Sequence, residues 1–221
     1  MGLFTKDKND ILIRASKKGQ LEVVKQILTE GDDAITDKGK GTALLYAYKK
    51  NHTEVVRFLL EKGANVEVKD KHGNTALILA CSSAKINKEM VKLILDKGAY
   101  VNARESSEGW TALNKASMRG DVQVVRLLIE RGADINAKNK DGYTALISAT
   151  SRGRVEVVRL LLDAGANVNA RDKNGSTAFQ RAKFLDLMEG EKTTHYRQVT
   201  KLLEEHGSED AKLLRSTYGE L

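Results

Sequence analysis

Hydrophobic positions along the chain recur in two alternating patterns, and residues 139–171 show both most clearly. In the first, Ala145, Leu146 and Ala149 give a short run one small, close-packing face, with Thr144 ahead of it to cap a helix and Gly153 behind it to break one. In the second, Val157, Val158, Leu160, Leu161 and Leu162 fall at i, i+1, i+3, i+4 and i+5, and Gly165 stands where a helix C-terminus needs a left-handed residue. The pattern predicts turn, helix, turn, helix and loop. Neither helix reaches the roughly 12 to 15 residues below which an isolated helix is marginal in water, so each unit must borrow a neighbour's apolar face.

The rest of the chain reads as edited copies of this unit. Thr42, Thr75, Thr111, Thr144 and Thr177 are 33, 36, 33 and 33 residues apart, and Asp10 takes the same place in the first copy. A closing glycine follows each cap by 21 residues at Gly31, Gly63, Gly132 and Gly165, and later at Gly98 and Gly207, where the third and sixth copies carry insertions. A repeated G-x-T-x-L-x-x-A, then G-x-x-E-V-V-x-L-L-L, then G-A-x-V-N-A resembles the ankyrin repeat family.

That resemblance implies an all-α repeat fold, an ankyrin-repeat solenoid of six helix-turn-helix units including two capping repeats. The repeats would cover approximately 10–36, 37–69, 70–105, 106–138, 139–171 and 172–207, after a loose lead-in at 1–9 and before a tail at 208–221. Two family features are missing. The Pro expected after each Thr is replaced by Ala43, Ala76, Ala112, Ala145 and Ala178, and the chain has no Pro. The His two residues further on is replaced by Leu45, Ile78, Asn114, Ile147 and Gln180, which puts one hydrogen bond in doubt but not the fold.

Composition narrows the function. Aromatics make up 5% of residues, as suits thin layers of Ala, Val and Leu, and the single Cys81 sits in a small-residue slot of a first helix, pointing to packing and to a reducing, cytoplasmic setting. No apolar run is long enough to span a membrane. The segment KGKGT glances at a phosphate-binding loop but lacks the preceding Gly and the Ser or Thr after Lys40. No nucleophile elbow, metal spacing or dinucleotide turn is present, so an enzyme, a metal site and a cofactor are not expected.

The net charge of +7 is partly absorbed on the second helices, where Lys25, Arg57, Lys92 and Arg159 each follow a Glu by three residues. The remaining signal lies on the first helices and turn tips, which line a groove in a stack of this kind. Seven and eight residues after the capping position come Lys17 and Lys18, Lys49 and Lys50, Met118 and Arg119, Ser151 and Arg152; the tips add Lys38, Lys71, His72, Lys140 and Lys173. Trp110 and Tyr143 occupy tip positions expected to face solvent, as interface anchors do. The predicted partner-binding residues are therefore Trp110, Tyr143, Met118, Arg119, Ser151, Arg152, Lys49, Lys50, Lys71 and His72. The expected function is a monomeric protein-interaction scaffold for a partner with an acidic rim and an apolar centre. The alternative is a nucleic acid or other polyanion, for which a basic track would need more stacking aromatics than two, and fewer interruptions than Glu108 and Asp141 make.

Overall fold

The computed structural model describes residues 3–29, 35–189 and 194–218. Among these residues the chain forms thirteen helices and no strand, with one isolated bridge between Arg171 and Thr177. It divides into two compact units, 1–107 and 108–221. The first contains α1 (Leu3–Lys18), α2 (Leu21–Thr29), α3 (Asp37–Lys49), α4 (Thr53–Glu61), α5 (Ala76–Ser82) and α6 (Lys88–Asp96). The second contains α7 (Ala112–Arg119), α8 (Val122–Glu130), α9 (Ala145–Thr150), α10 (Val155–Asp163), α11 (Ala178–Glu189), α12 (His195–Glu205) and α13 (Glu209–Tyr218).

Both units are built on one rule. Within each unit, every odd-numbered helix up to α11 packs on the even-numbered helix after it and helices of like parity pack on each other: α1, α3 and α5 against α2, α4 and α6 in the first unit, α7, α9 and α11 against α8, α10 and α12 in the second. The core of each unit lies between its own two layers of helices. Leu44, Leu77, Leu113 and Leu146 enter it from the first helices, and Leu59, Ile94, Leu128 and Leu161 from the second, all essentially without solvent exposure. Each such side chain contributes about 1.5 to 3 kcal/mol by leaving water, which is what holds helices this short.

The helix starts explain how an array without Pro keeps its geometry. The hydroxyls of Thr75, Thr144 and Thr177 accept from the N–H three residues on, at 3.4, 3.3 and 3.3 Å. Where an amide stands at the family's His position, it bonds back to the cap residue: Asn114 Oδ1 accepts from the Thr111 N–H at 3.1 Å and Gln180 Oε1 from the Thr177 N–H at 3.1 Å. Ile78 and Ile147 fill the same slot as fully buried hydrocarbon. Gly63, Gly98, Gly132, Gly165 and Gly207 all take positive φ, between 74° and 86°, so these closing glycines have the left-handed role expected of them; Gly31 lies outside the described residues.

Two expected caps are wrong. Thr42 lies inside α3 and donates to the Lys38 carbonyl at 2.8 Å, while the helix starts at Thr36, whose hydroxyl accepts from Gly39 N–H at 3.0 Å. Asp10 is likewise inside α1, and the supposed lead-in is helical from Leu3. The KGKGT segment is therefore helix rather than tip, and Lys38 sits in the first turn of α3. Gly39 and Gly41 make this extension possible: a methyl on Gly41 would lie 2.7 Å from Val68 Cβ. At the other end, α13 is fastened through Asp210, which bonds the Thr177 hydroxyl and pairs with Arg171, and through buried Ala211; Leu213 stays exposed. Residues 190–193, within the insertion of the sixth copy, lie outside the described residues.

Candidate functional site

Three of the turn tips are each organised by one side-chain oxygen. Asp70 Oδ1 accepts from His72 and Asn74 N–H at 2.9 and 3.0 Å, Asn139 Oδ1 from Asp141 and Tyr143 at 3.0 and 2.8 Å, and Asp172 Oδ1 from Asn174 and Ser176 at 2.8 and 3.0 Å. Tips are then tied by single backbone bonds. In the first unit Ser106 N–H donates to His72 O at 3.1 Å; in the second, Lys140 donates to Glu108 O and Lys173 to Asp141 O, both at 2.8 Å. Gly142 is required here, because its φ is 80° and a Cβ would lie 2.8 Å from the Asp172 Cα.

The carboxylates that build the tips also absorb cations expected to be available for binding. Lys49 Nζ pairs with Asp70 Oδ2 at 2.9 Å, with the Asp70 side chain only 9% exposed. Burial pushes the Asp70 carboxyl up, but the Lys49 bond and the N–H donors of Asn74 and His72 outweigh it and hold the pKa at about 2. Lys173 is paired with Asp141, which raises its pKa. The first helix ends and tips are thus not an uninterrupted row of bare charge, because tip carboxylates reach back to neighbouring lysines. Lys50, Lys71 and His72 are exposed in the first unit, Lys50 at the C-cap of α3 and the other two on the Asp70 tip.

In the second unit, Trp110 and Tyr143 are half-buried instead of solvent-facing. Their rings meet edge to face, with centroids 5.9 Å apart and planes at 63°. Lys115 Nζ lies 4.7 Å from the Trp110 ring centre and the Arg181 guanidinium 4.5 Å from that of Tyr143. Arg181 is fixed in turn by Asp172, whose side chain is fully buried; burial raises this carboxyl, but the Arg181 and tip hydrogen bonds and the Arg181 charge leave it lowered. Cation, ring, ring, cation and carboxylate thus form one file along three adjacent tips. A large ring at these tips does have packing partners, contrary to the sequence expectation.

Beside this file stand the ends of the first helices. Met118 and Arg119 close α7, with the Met118 carbonyl accepting from Arg154 Nε at 3.3 Å. Ser151 caps α9 and donates its hydroxyl to Ile147 O at 2.8 Å, and Arg152 follows it exposed. A cavity of about 430 Å³ opens between Ser151 and α11, lined also by Ser176, Gln180, Arg181, Phe184 and Leu185. Phe184, Leu187 and Met188 on α11 are 61, 82 and 69% exposed. The structure therefore gathers Trp110 and Tyr143 into direct contact and sets Met118, Arg119, Ser151 and Arg152 on directly packed helices of one unit. Lys49, Lys50, Lys71 and His72 belong to the other unit.

Residue-by-residue reading missed Lys115, Arg181 and the exposed strip of α11. For the strip the signal was present: Phe184 follows Thr177 by seven residues, as Met118 follows Thr111 and Ser151 follows Thr144.

A family model described as ankyrin repeats (3 copies) matches residues 12–105 and again 87–172. Two ankyrin repeat proteins of Variola virus are each 35% identical over 81 residues, covering 35% of this chain. That match spans only 14% of the viral proteins' own length.

Proposed function

The chain belongs to the ankyrin repeat family, and from that premise we propose that it is a non-enzymatic scaffold or adaptor that grips a protein partner of mixed acidic and apolar character. Ankyrin repeats are generally protein–protein interaction modules. The observation that carries the finer reading is the file of first-helix ends in the second unit, Met118 with Arg119, Ser151 with Arg152, and Phe184 with Leu185, on helices that pack directly on one another. Three apolar side chains and two arginines share those ends at a spacing set by helix packing, about 8 to 10 Å, comparable to the roughly 8 Å screening length in physiological salt. The potential of neighbouring arginines therefore overlaps on this face.

The pairing of Lys49 with Asp70 and of Lys173 with Asp141 favours a protein partner over a polyanion, since a phosphate backbone would have to displace carboxylates already in place. No helix among the described residues is long and apolar enough to cross a membrane. The buried thiol of Cys81 supports a cytoplasmic setting.

The test is affinity capture by the full chain against an Arg119→Glu/Arg152→Glu variant, read by quantitative mass spectrometry. Proteins enriched by the wild type and lost from the variant support the reading. An identical captured set from the two chains overturns it, as would tight, salt-steep binding of single-stranded DNA by the wild type.

A further inference from the structure

The exposed side of α11 has no counterpart in the other first helices of its unit. α7 ends after eight residues and α9 after six, whereas α11 runs for twelve and carries its outward side past the point where the others stop. Its exposed positions are Gln180, Lys183, Phe184, Leu187 and Met188, a stripe at i, i+3, i+4, i+7 and i+8 that turns from polar to apolar toward the C-terminus. Three large apolar side chains more than half exposed on consecutive turns are a contiguous patch, which a soluble surface does not keep without use.

We infer that this stripe, with the adjoining 430 Å³ cavity, is the docking surface for one amphipathic helix of the partner protein, apolar along its centre and acidic along its flank. The inference rests on the partner-binding reading above and locates its apolar centre.

Three observations select this occupant. First, the stripe is bordered by cations: Arg152 lies exposed after Ser151, which lines the cavity, and Lys183 lies exposed on the stripe itself, its Nζ 5.9 Å from the Phe179 ring centre. Asp186, the carboxylate of the same turn, is turned toward Arg197 at 3.5 Å. A second copy of the chain would bring like charges together, while an acidic flank would neutralise them. Second, no strand among the described residues offers a sheet edge to an extended peptide, whereas a helix presents its own i, i+3, i+4 ridge to the groove beside Phe184. Third, an exposed Met beside Leu and Phe gives an adaptable apolar surface of the kind that receives helix anchors.

The experiment uses the full chain and three synthetic helical peptides on the order of 18 residues. One carries Leu at i, i+3, i+4 and i+7 with Glu flanks, one the same Leu with Lys flanks, and one the Glu flanks with Ala in place of Leu. By fluorescence anisotropy the first should bind at least about tenfold more tightly than either of the others. Leu187→Asp/Met188→Asp should lose that preference while its helical circular dichroism stays that of the wild type; Lys183→Glu, which leaves the apolar residues in place, should reverse it in favour of the Lys-flanked peptide. Equal binding of all three peptides, no binding, or an unchanged preference in the Asp variant overturns the inference, and so does concentration-dependent dimerisation of the wild type that the Asp variant abolishes. If Arg119→Glu/Arg152→Glu loses captured partners while Leu187→Asp/Met188→Asp retains them, the α11 site fails and the broader interaction reading stands.

Discussion

Asp70→Asn isolates what a tip carboxylate contributes beyond its shape. Asn139 already occupies the equivalent place in another tip, where its Oδ1 accepts the corresponding pair of backbone N–H groups, so the substitution keeps the turn's acceptor and removes the charge together with Oδ2, the acceptor for Lys49 and the Asn74 amide. The native carboxyl has a pKa of about 2 against an ordinary 3.8. At 1.36 kcal/mol per unit that difference is worth roughly 2.4 kcal/mol, and about 2 once the 40% exposure of the Lys49 side chain is allowed for. Because the folded value is depressed, this stability is fully present above the unfolded pKa and is lost as pH falls through the folded one. The variant should therefore be about 2 kcal/mol less stable near pH 7 and near pH 4, and only about 1 kcal/mol less stable near pH 3. Urea titrations at the three pH values should be followed by far-ultraviolet circular dichroism. Tryptophan fluorescence would mislead, since the one Trp is at position 110, in the other unit. A penalty that stays constant from pH 7 to pH 3 would refute the claim that the ionised carboxylate, held by Lys49 and by the donors of Asn74 and His72, supplies this stability.

Leu146→Ala should cost about 2 to 5 kcal/mol in denaturant melting, since a side chain 1% exposed leaves a cavity between two layers; a cost below about 1 kcal/mol would mean the packing is misplaced. Gly41→Ala should lower stability despite the roughly 1 kcal/mol that Ala gains in a helix, because Val68 must shift to admit the methyl; a net gain would show that Val68 moves freely. Trp110→Ala, Tyr143→Ala and the double variant should give a coupling energy of about 0.5 to 1.5 kcal/mol in thermal or urea melts, and additive effects would deny the ring contact any energetic meaning.

Much of the fold was legible because the two hydrophobic patterns differ. Small residues on one face marked the first helices, Val and Leu clusters the second, and the closing glycines fell where positive φ is used. Spacing misleads where local chemistry outranks it. Thr42 stands 33 residues before Thr75, the interval of a cap, yet Thr36 followed by Asp37 is the stronger helix start: the hydroxyl bonds Gly39 N–H, and a carboxylate in the first turn complements the helix dipole. Two glycines inside α3 disguised its beginning as a loop. Their purpose is tertiary, to let Asn9 and Val68 approach the backbone, and that cannot be seen along one element.

The candidate site shows the same division between local and tertiary information. Trp110 and Tyr143 stand at the same place in successive repeats, and the tip-to-tip bonds that join Lys140 to Glu108 and Lys173 to Asp141 set their register; the spacing was visible in the sequence, but the expectation of solvent-facing rings passed over the contact. Arg181 was hidden, because its position over Tyr143 depends on the buried Asp172 that holds it. Once both rings carry a cation and lean on each other, a partner gains less by covering them than isolated anchors would offer, and uncovering them costs the chain its own contacts. On α11, by contrast, Leu187 and Met188 stay largely exposed, on a helix that runs six residues longer than α9. On the proposed reading, the aromatic file across three tips would orient the partner and the adjacent, adaptable Leu and Met surface would bind it.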